Sequence, residues 1–223
     1  MPPLLHLRTY AMTNKICCGL LLFLASAVTQ ALEIPLQNAN FKHCVQELAT
    51  KKNWQSLADI TALECHSKNI TSLEGIEHFP QLQKLSLYNN QLTEASIGKL
   101  TQLRHINLAK NKITQVNFSE LPALEELYIF GNKMTALELT GLPKLKLLKI
   151  NDNQIVQFTY KELPALEKIY MFNNVMEHVD IYHLPAMTYM DARQNPMPDP
   201  LYEEMDKLKG VTFLHDGNAE DWQ

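Results

Sequence analysis

Residues 103–132 read LRHINLAKNKITQVNFSELPALEELYIFGN, and they hold two copies of one frame. Leu103, Ile106, Leu108 and Asn111 are followed 21 residues later by Leu124, Leu127, Ile129 and Asn132. Apolar residues stand at positions one, four and six of the frame, and Asn stands at position nine. Upstream the frame reads Leu82-Leu85-Leu87-Asn90. Downstream it reads Leu145-Leu148-Ile150-Asn153, Leu166-Ile169-Met171-Asn174 and Met187-Met190-Ala192-Asn195. A fixed period of this length signals coils stacked into a solenoid.

The physical reading starts from one coil. Apolar-x-apolar puts two side chains on one face of a short strand. A single coil cannot bury that face, but stacked coils make a continuous core. Asn suits the turn after the strand, because its amide carries both donors and an acceptor for backbone groups left unpaired there. The second half of each coil repeats the spacing with Leu in place of Asn: Ile113-Val116-Phe118-Leu121, Met134-Leu137-Leu139-Leu142, Ile155-Phe158-Tyr160-Leu163 and Met176-Val179-Ile181-Leu184. The coil therefore divides into a 10-residue and an 11-residue half, and the convex side is expected to carry strand as well. Pro follows the last Leu at 122, 143, 164 and 185, fixing φ where the chain turns. An irregular first coil of 22 residues runs Ile60, Leu63, Cys65, with Lys68 where Asn is expected.

The frame resembles the leucine-rich repeat, and the halved coil resembles the nested class found in bacteria. The resemblance implies a β-rich arc of about seven coils over residues 60–197, with parallel concave strands and a largely extended convex side. It implies that Asn90, Asn111, Asn132, Asn153, Asn174 and Asn195 form an Asn ladder. It also implies a binding surface rather than chemistry, and no cofactor.

Residues 1–31 read as a secretory signal, with Lys15, an apolar run at 16–28 and a small-residue cleavage site ending at Ala31. Met12 is the expected start, because the 11 residues before it do not suit a signal. The apolar run is too short for a membrane span, so the chain is expected to be exported, to the periplasm or beyond. Cys17 and Cys18 leave with the signal, and Cys44 and Cys65 remain. An oxidising compartment and the even count favour a Cys44–Cys65 disulfide. Two separately buried thiols are the alternative, since Cys is a good small core residue. The signal carries two of the 20 basic residues and no acid, leaving 18 basic against 24 acidic and a net charge of −6. That balance argues against nucleic acid or an anionic membrane as partner.

Solenoid ends need covers. Residues 32–59 are the expected N-terminal cap, with a helix at 40–50, Asn40 as its N-cap and an apolar stripe of Phe41, Cys44, Val45 and Leu48. This cap resembles that of internalin-like proteins. Residues 198–223 are the expected C-terminal cap. Asp199 and Pro200 start a helix there and Gly210 stops it. Val211 and Phe213 could form an edge strand, and residues 215–223 read as a frayed acidic tail.

Positions three, five and seven of each concave strand should face solvent. They place Tyr88, Tyr128, Phe130, Tyr170, Phe172 and Tyr189 on that surface. Exposed Phe suggests contact with something, and aromatics are favoured at interface hot spots. Against this, aromatics also raise strand propensity and pair across strands. Residues 121–134 and 163–176 match at nine of fourteen positions, so duplication alone could have copied their Tyr and Phe. No metal site is expected: the His are scattered, and His66 and His105 lie in different columns. The leading expectation is a non-enzymatic module binding a protein partner on its concave face. A carbohydrate module is the runner-up, with Tyr88, Phe130 and Phe172 on alternate coils, about 10 Å apart. A catalytic domain is a third reading, for which the 26 residues after Met197 are too few.

Overall fold

The computed structural model describes residues 32–217. The expected signal at 1–31 and the last residues of the tail lie outside the described residues. Helix α1 (Ala39–Lys52) opens the fold, followed by β1 (Ala62–Glu64) and β2 (Lys84–Ser86). Then come β3 (Glu94–Gly98), β4 (His105–Asn107), β5 (Gln115–Ser119), β6 (Glu126–Tyr128) and β7 (Ala136–Thr140). The chain continues through β8 (Leu147–Lys149), β9 (Gln157–Lys161), β10 (Lys168–Tyr170) and β11 (Tyr189–Asp191). Helix α2 (Asp199–Lys207) and β12 (Thr212–Leu214) close it.

Eight short strands form one sheet in the order β1-β2-β4-β6-β8-β10-β11-β12. The pairs from β1 to β12 are parallel and in frame register, as in Leu85↔Ile106, Ile106↔Leu127 and Ile169↔Met190. Constant coil length is what keeps the register: every position-four residue meets its equivalent, and the whole column is buried. The eighth strand comes from the C-terminal cap, where Phe213 pairs with Met190.

The second halves of the coils carry strand in two pairs, β3 with β5 and β7 with β9. Elsewhere the expected convex strand is missing. The first coil has a 3-10 turn at Ile76–His78 instead. In the coil after β10, Val179 and Ile181 are buried as the frame requires. Asp180 accepts there from the Tyr182 amide at 2.9 Å and lies 2.6 Å from His183 Nδ1. Such a local side-chain turn competes with a sheet ladder for the same backbone groups.

The frame also hides a backbone signal. Position eight is left-handed in all seven coils: Ser67, Asn89, Lys110, Gly131, Asp152, Asn173 and Gln194. Lys99, Glu120, Gly141 and Glu162 are left-handed ten residues after 89, 110, 131 and 152. Every first half-coil, and the second half-coils ending at Leu100, Leu121, Leu142 and Leu163, thus turn inward through one left-handed residue, one place before the Asn-position residue or Leu. Gly141 has φ +65°, and nothing would lie within 4 Å of an added Cβ. Gly141→Ala should then cost about 1 kcal/mol through backbone conformation alone, read as a lower urea midpoint. A larger loss would mean that the turn has a packing role. Gly75 differs, since an added Cβ would collide with the Pro35 carbonyl oxygen.

The Asn ladder bridges coils. Asn132 Oδ1 accepts from the Ile113 amide at 3.0 Å, and its Nδ2 donates to Leu108 O at 3.1 Å and Ile129 O at 3.0 Å. Two of these three partners belong to the preceding coil. Asn111, Asn153, Asn174 and Asn195 repeat the arrangement. Asn90 accepts from both Lys68 N and Ile70 N and donates to Cys65 O. Because each Asn reaches backwards, the first coil has no earlier coil to reach, and Lys68 replaces Asn there without breaking a bridge. Its Nζ instead lies 3.2 Å from Glu47 on α1.

Cys44 and Cys65 form a disulfide that ties α1 to the first coil. The helix is capped by Asn38 rather than Asn40: Asn38 Oδ1 accepts from Phe41 N at 3.0 Å. Asn40 Nδ2 instead donates to the Asn69 carbonyl. Phe41, Cys44 and Val45 are buried as expected, and Leu48 packs partly buried against them. At the other end Leu201, Tyr202 and Met205 are buried. The tail is not frayed at its start. His215 is buried, stacks on Tyr202 at 4.6 Å and lies 3.1 Å from Asp206, while Asp216 accepts from the Gln194 amide.

Candidate functional site

The outer face of the long sheet is built by strand alternation. Residues on either side of the buried position-four column point away from the core. The six expected aromatics lie on this face, but all six are half-buried rather than exposed. Adjacent strands stand about 4.8 Å apart, so each ring is shaded by neighbours on both sides. The premise of two freely exposed Phe is corrected accordingly. Ser86, Ala109, Asn151 and Asp191, expected on the same surface, are buried.

The four Tyr are engaged within the sheet. Tyr88 meets the edge of His66 at 6.1 Å, and Lys110 Nζ lies 5.6 Å from its ring centre. Tyr128 packs on His105 at 5.1 Å and donates its hydroxyl to Glu126 at 2.9 Å. Burial first, and then the Glu126 carboxylate, push the Tyr128 phenol up to about 12. Tyr170 packs on Tyr189 at 5.2 Å. Lys149 Nζ stands between two of these rings, 5.4 Å from Tyr128 and 4.6 Å from Tyr170. Phe130 and Phe172 take part in no such ring contact among the described residues.

The charged residues of the face are mostly paired. Glu64 pairs with Lys84, and His105 Nδ1 lies 2.9 Å from Glu126. The buried Asp191 accepts two bonds from Arg193, at 2.9 and 2.8 Å. His66 Nε2 lies 2.7 Å from the Ser86 hydroxyl, so His66 and His105 have separate partners. Among the described residues no group of three His, Cys, Asp or Glu could hold a metal ion. A second surface escaped the sequence reading. Pro122, Pro143, Pro164 and Pro185 line an open groove of about 760 Å3 along the turns that close the convex half. Their regular period was the available signal, read only as turn chemistry.

A leucine-rich repeat family model matches residues 80–134. With eight parallel strands in register and an Asn bridging each pair of successive coils, the assignment follows. The fold is that of a leucine-rich repeat solenoid. Two crystal structures of Listeria monocytogenes internalins share the fold of this leucine-rich repeat chain. One, inlF, has 17% identity and a TM-score of 0.51, covering 85% of this chain and 72% of that one. The other, inlC2, has 19% identity and a TM-score of 0.51, covering 82% of this chain and 95% of that one. Curated proteins offer no significant match to the sequence. No described helix is long and apolar enough to cross a membrane.

Proposed function

We propose that this leucine-rich repeat protein is an exported, non-enzymatic module that binds a protein partner on the outer face of its long sheet. The observation that carries this reading is the contrast among the six aromatics. The four Tyr are spent on neighbours within the sheet, whereas Phe130 and Phe172 have no ring partner among the described residues. They stand two coils apart, at equivalent positions beside the Tyr128–Lys149–Tyr170 cluster. Half-buried apolar rings on a polar surface suit an interface hot spot. The disulfide and the signal-like N-terminus support export. Residues 1–31 serve as the signal, 32–59 and 198–223 as caps, and 60–197 as the binding arc. The face favours a protein over a glycan ladder, because Lys110 and His66 already occupy the Tyr88 ring.

Phe130→Ser combined with Phe172→Ser should abolish partner capture from envelope and surface extracts of the source organism. Stability should change by about 1 kcal/mol or less, since only cross-strand packing is lost. Gln157→Ala with Thr159→Ala, on the exposed side of β9, should alter neither readout. Capture surviving the Phe changes but lost in the β9 control would move the site to the opposite face.

A further inference from the structure

Three features of the outer face coincide at β8 and β10. First, every acidic side chain among positions three, five and seven has a basic partner: Glu64 with Lys84, Glu126 with His105, Asp191 with Arg193. Lys149 and Lys168 have no carboxylate within ion-pair distance among the described residues. Second, Lys149 is held in place without one. It is half-buried, and its ammonium lies over the rings of Tyr128 and Tyr170. Third, the hydroxyls of Tyr170 and Tyr189 donate to no acceptor among the described residues, unlike that of Tyr128. Lys168 and Tyr170 lie on one strand two residues apart, on the same face, with Tyr170 in register with Lys149 and Lys168 in register with Tyr189. The result is a local cluster of donors with no carboxylate of its own among the described residues, on a face whose acidic side chains are all paired and on a net acidic chain.

A partly desolvated ammonium with phenol donors around it favours an anion over water, because charge-assisted hydrogen bonds strengthen as water is excluded. The Tyr128 and Tyr170 ring faces are occupied by Lys149 and so offer no seat to a second ammonium. We propose that Lys149, supported by Lys168, Tyr170 and Tyr189, is the anchor for a carboxylate on an acidic segment of the protein partner. Apolar residues beside that carboxylate pack on Phe130 and Phe172. A peptide carboxylate fits better than an acidic polysaccharide, because a sugar needs an open ring face. The Tyr128 and Tyr170 faces are taken by Lys149, and Tyr170 and Tyr189 are tilted onto one another at 43°.

This inference rests on the proposed protein-binding face, and its test separates the two. The probe is a labelled, end-blocked six-residue peptide alternating leucine and aspartate, titrated into the full exported chain at low salt. A peptide with asparagine for aspartate is the control, and polygalacturonate is the glycan arm. The acidic peptide should bind at least about tenfold more tightly than its control, and Lys149→Gln should remove that advantage. Lys149→Glu should reverse the preference toward a leucine–lysine peptide, while raised salt should weaken the wild-type complex. Equal binding of the acidic and neutral peptides, or an acidic preference that survives Lys149→Gln, overturns the anchor. Tighter Lys149-dependent retention of polygalacturonate overturns the choice of a protein carboxylate. If the Phe130→Ser, Phe172→Ser variant loses partner capture while the peptides show no acidic preference, the face stands and the anchor falls. If that variant keeps capture, the face itself is wrong.

Discussion

Asn132→Ala should lower stability by about 3 kcal/mol, because one substitution strands three buried backbone groups at once. The Ile113 amide loses its acceptor, and the carbonyls of Leu108 and Ile129 lose a donor. Asn132 is only 8% exposed, so little water can replace it. Two of the three bonds cross to the preceding coil, so the damage should concentrate at one coil–coil interface. In a solenoid, stability is a sum of coil and interface terms. Hydrogen exchange should therefore quicken first around residues 108–113 and 129–134. Asn153→Ala should be milder, since Asn153 is half-buried while making equivalent bonds. Asn117→Ala, on the exposed side of β5, should stay within about 0.5 kcal/mol of wild type. Equal urea midpoints for Asn132→Ala and Asn117→Ala would deny the ladder any part in stability.

Removing the disulfide should have a comparable but differently placed effect. Cys44 and Cys65 are 21 residues apart, and both are buried. Closing a loop of that size is worth about 3 kcal/mol through restriction of the unfolded chain. Cys44→Ala with Cys65→Ala should show that loss, with amide exchange rising first in α1 and β1. The rest of the arc should hold its exchange pattern, since strands β4 to β10 have their own ladder and core. Alkylation of the oxidised protein should detect no free thiol at either position. A double variant with unchanged stability, or two reactive thiols in protein from an oxidising compartment, would remove the bond from the account.

How much was legible differs from one element to the next. The strand at Ile106, the turn at Asn111 and their repetition follow from apolar spacing, because one side-chain period and one coil length admit one stacking. The same spacing identified the convex strands at Val116 and Phe158. It also predicted one after Met176, where the Asp180 side chain claims the backbone instead. Asn40 and Asn38 are equally good caps in sequence, and only the distance to the Phe41 amide separates them. The left-handed residues at position eight were hard to see because Gly131 is the lone Gly among them; Lys110 and Asp152 give no such warning.

The sequence by itself determined the solenoid, its register, its ladder, the pair of cysteines able to meet and the columns from which a site could be drawn. These follow from periodicity, which is a property of the chain alone. The tertiary structure decided which members of those columns are available. Tyr88, Tyr128, Tyr170 and Tyr189 are engaged by His66, Lys110, Glu126 and one another, and Asp191 is buried under Arg193. The contacts of Tyr88 and the Tyr170–Tyr189 pair join residues one coil apart in space and about twenty apart in sequence, whereas Tyr128–Glu126 and Asp191–Arg193 lie two apart on one strand; all depend on rotamers that no pattern encodes. Lys149 reads in sequence as an ordinary solvated lysine. Only the stacking of three neighbouring strands places its ammonium between two rings and beyond ion-pair distance of any described carboxylate.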